Sequence, residues 1–107
     1  VIALPAAINT FASQADIFKA LAHPTRLKIL QLLQNGERCV CEIVPQIGLE
    51  QPNVSRHLAI LRKEGILSSR KDGLKVIYWV RDPRAFQLFE LSREMLQNYW
   101  EEKSCAV

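Results

Sequence analysis

The chain has 107 residues, of which 49% are hydrophobic and 23% charged, and its formal net charge is +3. That composition describes one globular domain spanning residues 1–107: too apolar for a disordered chain and too short for two ordinary domains. No apolar run approaches the roughly 18 residues that cross a bilayer, so no membrane partner is expected. The opening "VIALPAAINTF" lacks a basic n-region and a clear cleavage site, so a secretory signal is not expected. A cytoplasmic location follows, and with it three reduced thiols rather than a disulfide framework. The charge is uneven: from Arg26 to Lys75 there are nine Lys/Arg against five Asp/Glu, and from Arg81 to Lys103 four against five. A basic middle segment is the electrostatic footprint of a polyanion partner.

In chain order, "AAINTFASQADIFKALAH" places Ile8, Phe11, Ala15, Phe18 and Leu21 at helical spacing. The helix should stop near His23, because Pro24 disfavours helical geometry in the residue before it. Pro24 suits the first turn of a second helix, whose apolar positions Leu27, Leu30 and Leu33 run to a stop at Asn35-Gly36. Pro45 is tolerated in a first turn but not in a helix interior. A short third helix is therefore expected from near Cys41 or Glu42 to Gly48. "EQPNVSRHLAILRKEG" gives a fourth helix with an apolar stripe of Val54, Leu58 and Leu61 and a stop at Gly65. The third and fourth helices, joined by "GLEQ", read as a helix-turn-helix. "ILSSRKDGLKVIYWV" reads as a β-hairpin turning at Asp72-Gly73. From Pro83 a long amphipathic helix carries Phe86, Phe89, Met95 or Leu96, and Tyr99 or Trp100. So apolar a terminal helix needs a partner, and the expectation is a dimer interface shared with the first helix.

The expected architecture is mostly α with a small β-hairpin, in the order α-α-α-α-β-β-α: a winged helix-turn-helix that dimerises through its first and last helices. Such a unit can lay its second helix in the major groove of double-stranded DNA, with the N-terminal residues against base edges. Here those residues are Gln51, Asn53, Ser55, Arg56 and His57. Arg70, Lys71 and Lys75 on the wing can meet phosphates or the minor groove. A hydrolase or transferase built on Ser55 and His57 is disfavoured: on a helix the two face apart, and no acid is placed to orient the histidine.

The stretches "FKALAHPTRLKILQLL", "CVCEI", "QPNVSRHLAILRKEGIL" and "RKDGLKVIYWV" together resemble the arsenic-repressor (ArsR/SmtB) family of bacterial winged-helix metal sensors, over nearly the whole chain. The resemblance implies a homodimeric, non-enzymatic repressor that binds operator DNA and leaves it when an inducer binds. It also implies Cys39 and Cys41 as ligands, since members carry Cys-Val-Cys at the start of the first helix of the helix-turn-helix. The third cysteine of that pattern is replaced here by Val44. Cys105 is the only thiol left, and is assigned as the third ligand by that count alone. The zinc-binding pairs some members carry on the last helix have no counterpart, because that helix has no histidine.

Soft thiolates favour thiophilic ions, and zinc wants four ligands in a closed site. Three sulfurs suit trivalent arsenic, or antimony, as inducer. A Cd(II) or Pb(II) sensor and a thiol-redox or persulfide-responsive repressor of the same fold remain open. In the redox case the tight ring of an adjacent Cys-x-Cys would move the useful disulfide to Cys105. Positions i and i+2 point about 200° apart on a regular helix. Cys39 and Cys41 are therefore expected to converge on one ion only if their segment is extended or its first turn unwinds, which would oppose the local fold. His23, before Pro24, reads as a capping or core residue.

Overall fold

The computed structural model describes residues 10–105. The helices are α1 (Thr10–Leu21), α2 (Pro24–Leu32), α3 (Val40–Ile47), α4 (Gln51–Lys63) and α5 (Arg84–Cys105). A 3-10 turn, Leu33–Asn35, extends α2. The strands are β1 (Arg38–Cys39), β2 (Leu67–Asp72) and β3 (Lys75–Val80). Every expected helix is present, although residues 6–9 of the first lie outside the described residues.

His23 caps α2: it is extended, and its Nδ1 accepts the Thr25 N–H at 3.1 Å. Pro24 then occupies the first turn, where its missing N–H costs nothing. The core joins α2, α3 and α4 to the base of the hairpin. Ile29 and Leu30, Ile43, and Val54, Leu58 and Leu61 are fully buried, and Leu67 and Tyr78 close the cluster from the sheet. Each such side chain contributes about 1.5–3 kcal/mol relative to exposure. This core fixes α4 by one face and leaves its opposite face in solvent.

Two details of the hairpin differ from expectation. The register pairs Asp72 with Lys75, so the loop residues are Gly73 and Leu74 rather than Asp72 and Gly73. Gly73 has φ +62° and Leu74 does not have positive φ, which is the II′ pattern with glycine at the first central position. The sheet also has a third strand. Arg38 and Cys39 pair antiparallel with Tyr78 and Ile77, giving the strand order β1-β3-β2. A two-residue strand has too little pattern to be read from sequence, yet it makes the cysteine segment part of the wing sheet.

Among the described residues, α1 and the distal part of α5 carry large exposed apolar side chains. They include Phe11, Phe18, Leu91, Met95, Leu96 and Trp100. An apolar groove of about 490 Å³ runs between α1, α2 and α5. No described helix is long and apolar enough to cross a membrane.

Candidate nucleic-acid interface and thiol site

Helical geometry sorts the residues expected on the reading helix. At 100° per residue, Val54, Leu58 and Leu61 face the core and Arg56 points to the opposite side. Gln51 and Ser55 form one flank, beside the wing, and line a groove with the cysteine segment. Asn53 and His57 lie on the other flank, beside α2. Gln51, Asn53 and Arg56 are exposed, and Ser55 and His57 are half-buried.

His57 was expected on the DNA surface, but its side chain turns toward the protein. Its Nδ1 accepts the Arg26 Nε–H at 3.1 Å, and its ring lies 4.4 Å from that of His23. Desolvation, then the positive charges of His23, Arg26 and Arg56, lower its pKa from the usual 6.5. Neutral His57 accepts at Nδ1, so its proton sits on Nε2. The same Arg26 donates to the backbone carbonyls of Lys19 and Ala20. One guanidinium thus ties the end of α1 to α2 and α4. Arg26 and His57 are 31 residues apart, and no local pattern in the sequence signals the contact.

On the wing, Lys71 and Lys75 are exposed. Arg70 is engaged: it makes a bidentate ion pair with Glu37 at 2.6 and 2.7 Å and stacks over Trp79 at 5.4 Å. The pair lowers the Glu37 pKa and raises that of Arg70, chiefly by hydrogen bonding. Glu37 is a residue the sequence did not single out. Its role depends on β1, which pairs with β3 and so places Glu37 across β3 from Arg70 on β2.

The cysteine pair departs most from expectation. Cys39 is the N-cap of α3, with φ −68° and ψ 147°, and Cys41 lies inside the first turn. An extended residue followed by a helical one brings the two side chains onto one side, with Cα atoms 5.1 Å apart. The sulfurs are joined as a disulfide, with no unwinding of the helix. An extended Cys39 is one of the two expected routes to convergence, but it leaves α3 intact rather than opposing the local fold, and the disulfide joins the adjacent pair where one through Cys105 was expected. A capping box explains why α3 starts at Val40, ahead of the expected Cys41 or Glu42. The Cys41 N–H donates to Cys39 Sγ at 3.0 Å, and the Cys39 N–H donates to Glu42 Oε1 at 3.1 Å. Pro45 falls in the second turn, where it removes only the bond to the Cys41 carbonyl.

Cys39 is 4% exposed and Cys41 is exposed. The pair opens onto a groove of about 420 Å³ bounded by α3, the start of α4 and the wing residues Leu74, Lys75 and Val76. Val44, at the position of the missing third cysteine, also lines it. Cys105 is the last residue of α5, about 32 Å along the helix axis from Arg84 at 1.5 Å per residue. Among the described residues there is no group of three or more His, Cys, Asp or Glu that could hold a metal ion. Once reduced, the two sulfurs would suit a thiophilic ion or metalloid and not a closed four-ligand zinc site.

A family model described as "Bacterial regulatory protein, arsR family" matches residues 23–69. An HTH-type transcriptional regulator of Methanocaldococcus jannaschii is 43% identical over 89 residues, 82% of this chain and 100% of that protein. The chain belongs to the arsR family. It is also 49% identical over 79 residues to a probable mercury resistance operon repressor of Streptomyces lividans, covering 74% of this chain and 63% of that one. With the arsenical resistance operon repressor of Escherichia coli K12 it shares 46% identity over 70 residues, 64% of this chain and 60% of that one. Among solved structures, the Mycobacterium tuberculosis regulator Rv0081 superposes with TM-score 0.81 at 33% identity, covering 92% of this chain and 99% of that chain. The homodimeric winged helix-turn-helix DNA-binding domain from Mycobacterium bovis gives TM-score 0.78 at 28% identity, covering 92% and 95%. Members of this family are DNA-binding transcriptional regulators, and this chain has their winged helix-turn-helix fold.

Proposed function

We propose that the protein is a homodimeric repressor whose affinity for operator DNA falls when trivalent arsenic, or antimony, binds the reduced thiolates of Cys39 and Cys41. The observation that carries this reading is that the two sulfurs converge at the junction of the wing sheet and the helix-turn-helix. Cys39 belongs to β1 and is paired with Ile77 of the wing. Cys41 belongs to α3, which packs under α4. A ligand shared by the two sulfurs therefore acts on both DNA-reading elements at once. Gln51, Asn53, Ser55 and Arg56 would face base edges, and Lys71 and Lys75 would face phosphates. His57 supports α4 from the α2 side, and Arg70 reaches phosphate only in competition with Glu37.

The dimer is supported by the exposed apolar faces of α1 and α5 and by the homodimeric relative. Linkage makes the coupling reciprocal: operator DNA weakens arsenic binding by the factor by which arsenic weakens DNA binding, typically about 5–150-fold. The test is an operator titration with arsenite on reduced wild type, Cys39→Ser and Cys41→Ser. Release from wild type alone supports the reading, and undiminished release from both variants refutes it.

A second reading, a thiol-redox repressor, rests on the disulfide between the same residues. Hydrogen peroxide would take two electrons from the dithiol, giving the disulfide and two waters. Operator release by peroxide in the absence of arsenic, reversed by a dithiol reductant, would favour it.

A further inference from the structure

The reading helix α4 is held to the core by Val54, Leu58 and Leu61, all fully buried. Apolar burial is non-directional, so it holds α4 in place more firmly than it fixes rotation about the helix axis. Rotation matters to a reading head. Side-chain tips lie about 5–6 Å from a helix axis, so a roll of about 20° carries them about 2 Å, enough to break a hydrogen bond to a base edge.

A directional contact outside the apolar stripe does fix the roll. His57 lies one turn beyond Asn53 on the α2 flank and is next in sequence to Arg56. Its Nδ1 accepts the Arg26 Nε–H at 3.1 Å. Nη1 of the same guanidinium donates to the Lys19 and Ala20 carbonyls, at 3.3 and 3.2 Å, in the last turn of α1. We infer that Arg26 is a positioning residue for sequence reading: by tying His57 to the end of α1 it sets the roll of α4 in the major groove, and with it the preference for specific over nonspecific DNA. The inference rests on the operator-binding reading above and is independent of the inducer.

The tie demands both partners as they stand. Lysine carries the same charge on a point ammonium and cannot hold the imidazole and the two carbonyls in one rigid fork. The imidazole accepts only while neutral; once protonated, both ring nitrogens are donors and the bond from Arg26 is lost. The ionisable groups acting on His57 are His23 ahead of α2, Arg26 of α2 and Arg56 of α4, all three bases. Desolvation and these bases hold its pKa below the usual 6.5, which keeps the tie closed at neutral pH.

The probes are a fluorescent duplex enriched by the wild-type protein from a random-sequence pool and a shuffled duplex of the same composition. Anisotropy gives the ratio of the two affinities. Unfolded chain lowers both affinities alike, so a loss of stability alone leaves the ratio unmoved. Arg26→Lys and His57→Ala should each lower the ratio about tenfold, the scale of one charge-assisted hydrogen bond. Combined, they should cost no more than either alone. His57→Gln, whose amide oxygen can accept the same N–H, should recover most of the ratio. In wild type the ratio should fall as pH drops below 6.5, and in His57→Gln it should stay level. An unchanged ratio in Arg26→Lys, or additive losses in the double variant, would overturn the inference. So would a wild-type ratio that holds or rises on acidification, as direct phosphate contact by His57 predicts. If the wild-type protein enriches no duplex from the pool, the operator-binding reading itself falls.

Discussion

Substituting Cys39 by serine and by alanine separates its two roles, as helix cap and as ligand. Its sulfur accepts the Cys41 N–H at 3.0 Å at the start of an eight-residue helix. Losing an N-cap acceptor costs about 0.5–2 kcal/mol, typically about 1. A serine hydroxyl can take the same bond; an alanine methyl cannot. For a domain of this size, 1 kcal/mol moves Tm by about 4–8 °C. Cys39→Ala should therefore melt several degrees below wild type, and Cys39→Ser should recover most of the difference. The assay is thermal unfolding of the reduced proteins by circular dichroism, at one fixed concentration because a dimer's Tm depends on it. Both variants should lose the response to arsenite, while only the alanine variant should also lose operator affinity, through the loosened start of α3. Equal melting of the two variants would show that the sulfur does not cap α3, and the mechanical link from Cys39 to the helix-turn-helix would go with it.

Leu58→Ala, in the fully buried stripe of α4, should cost about 2–5 kcal/mol in urea unfolding, whereas Ala59→Ser on the exposed side should stay within about 0.5. His57 has a lowered folded pKa, so below its usual 6.5 the unfolded chain binds the proton more readily and stability falls as pH drops through that value. Unfolding of wild type between pH 7.5 and 5.5 should show this slope, and His57→Gln should flatten it. Glu37→Gln releases Arg70 from its ion pair and should steepen the salt dependence of operator binding by up to about 0.9 in log–log slope, with Lys75→Ala reducing it by a similar amount. Leu96→Glu, on the exposed apolar face of α5, should yield monomers in sedimentation without changing the melting of α2–α4.

Much of this was legible in the sequence, for local reasons. Caps, prolines and glycines mark helix ends within a residue or two, and the core stripe of Val54, Leu58 and Leu61 follows from its spacing. The recognition surface could be sorted by helical phase, but His57 could not be placed. Its partner Arg26 is distant in sequence, and only the packing of α2 on α4 brings them together. The cysteine geometry failed for a different reason. Convergence was expected to oppose the local fold, because nothing in the sequence showed how residue 39 would be held extended. Cys39 is instead the last residue of a two-residue strand, and strand pairing with Ile77 is a tertiary fact. The ion pair of Glu37 with Arg70 was hidden by the same strand. The turn at Gly73-Leu74 was displaced by one residue because Asp72 is held in the ladder opposite Lys75.

The most direct measurement is the number of sulfur atoms bound to arsenic, by X-ray absorption on the reduced, arsenite-loaded dimer and on its Cys105→Ser variant. Two sulfurs per arsenic in both, one arsenic per chain, is the expected result, because Cys39 and Cys41 converge where the wing sheet meets α3. Three sulfurs in wild type falling to two in Cys105→Ser would contradict it and place the third ligand on the end of α5.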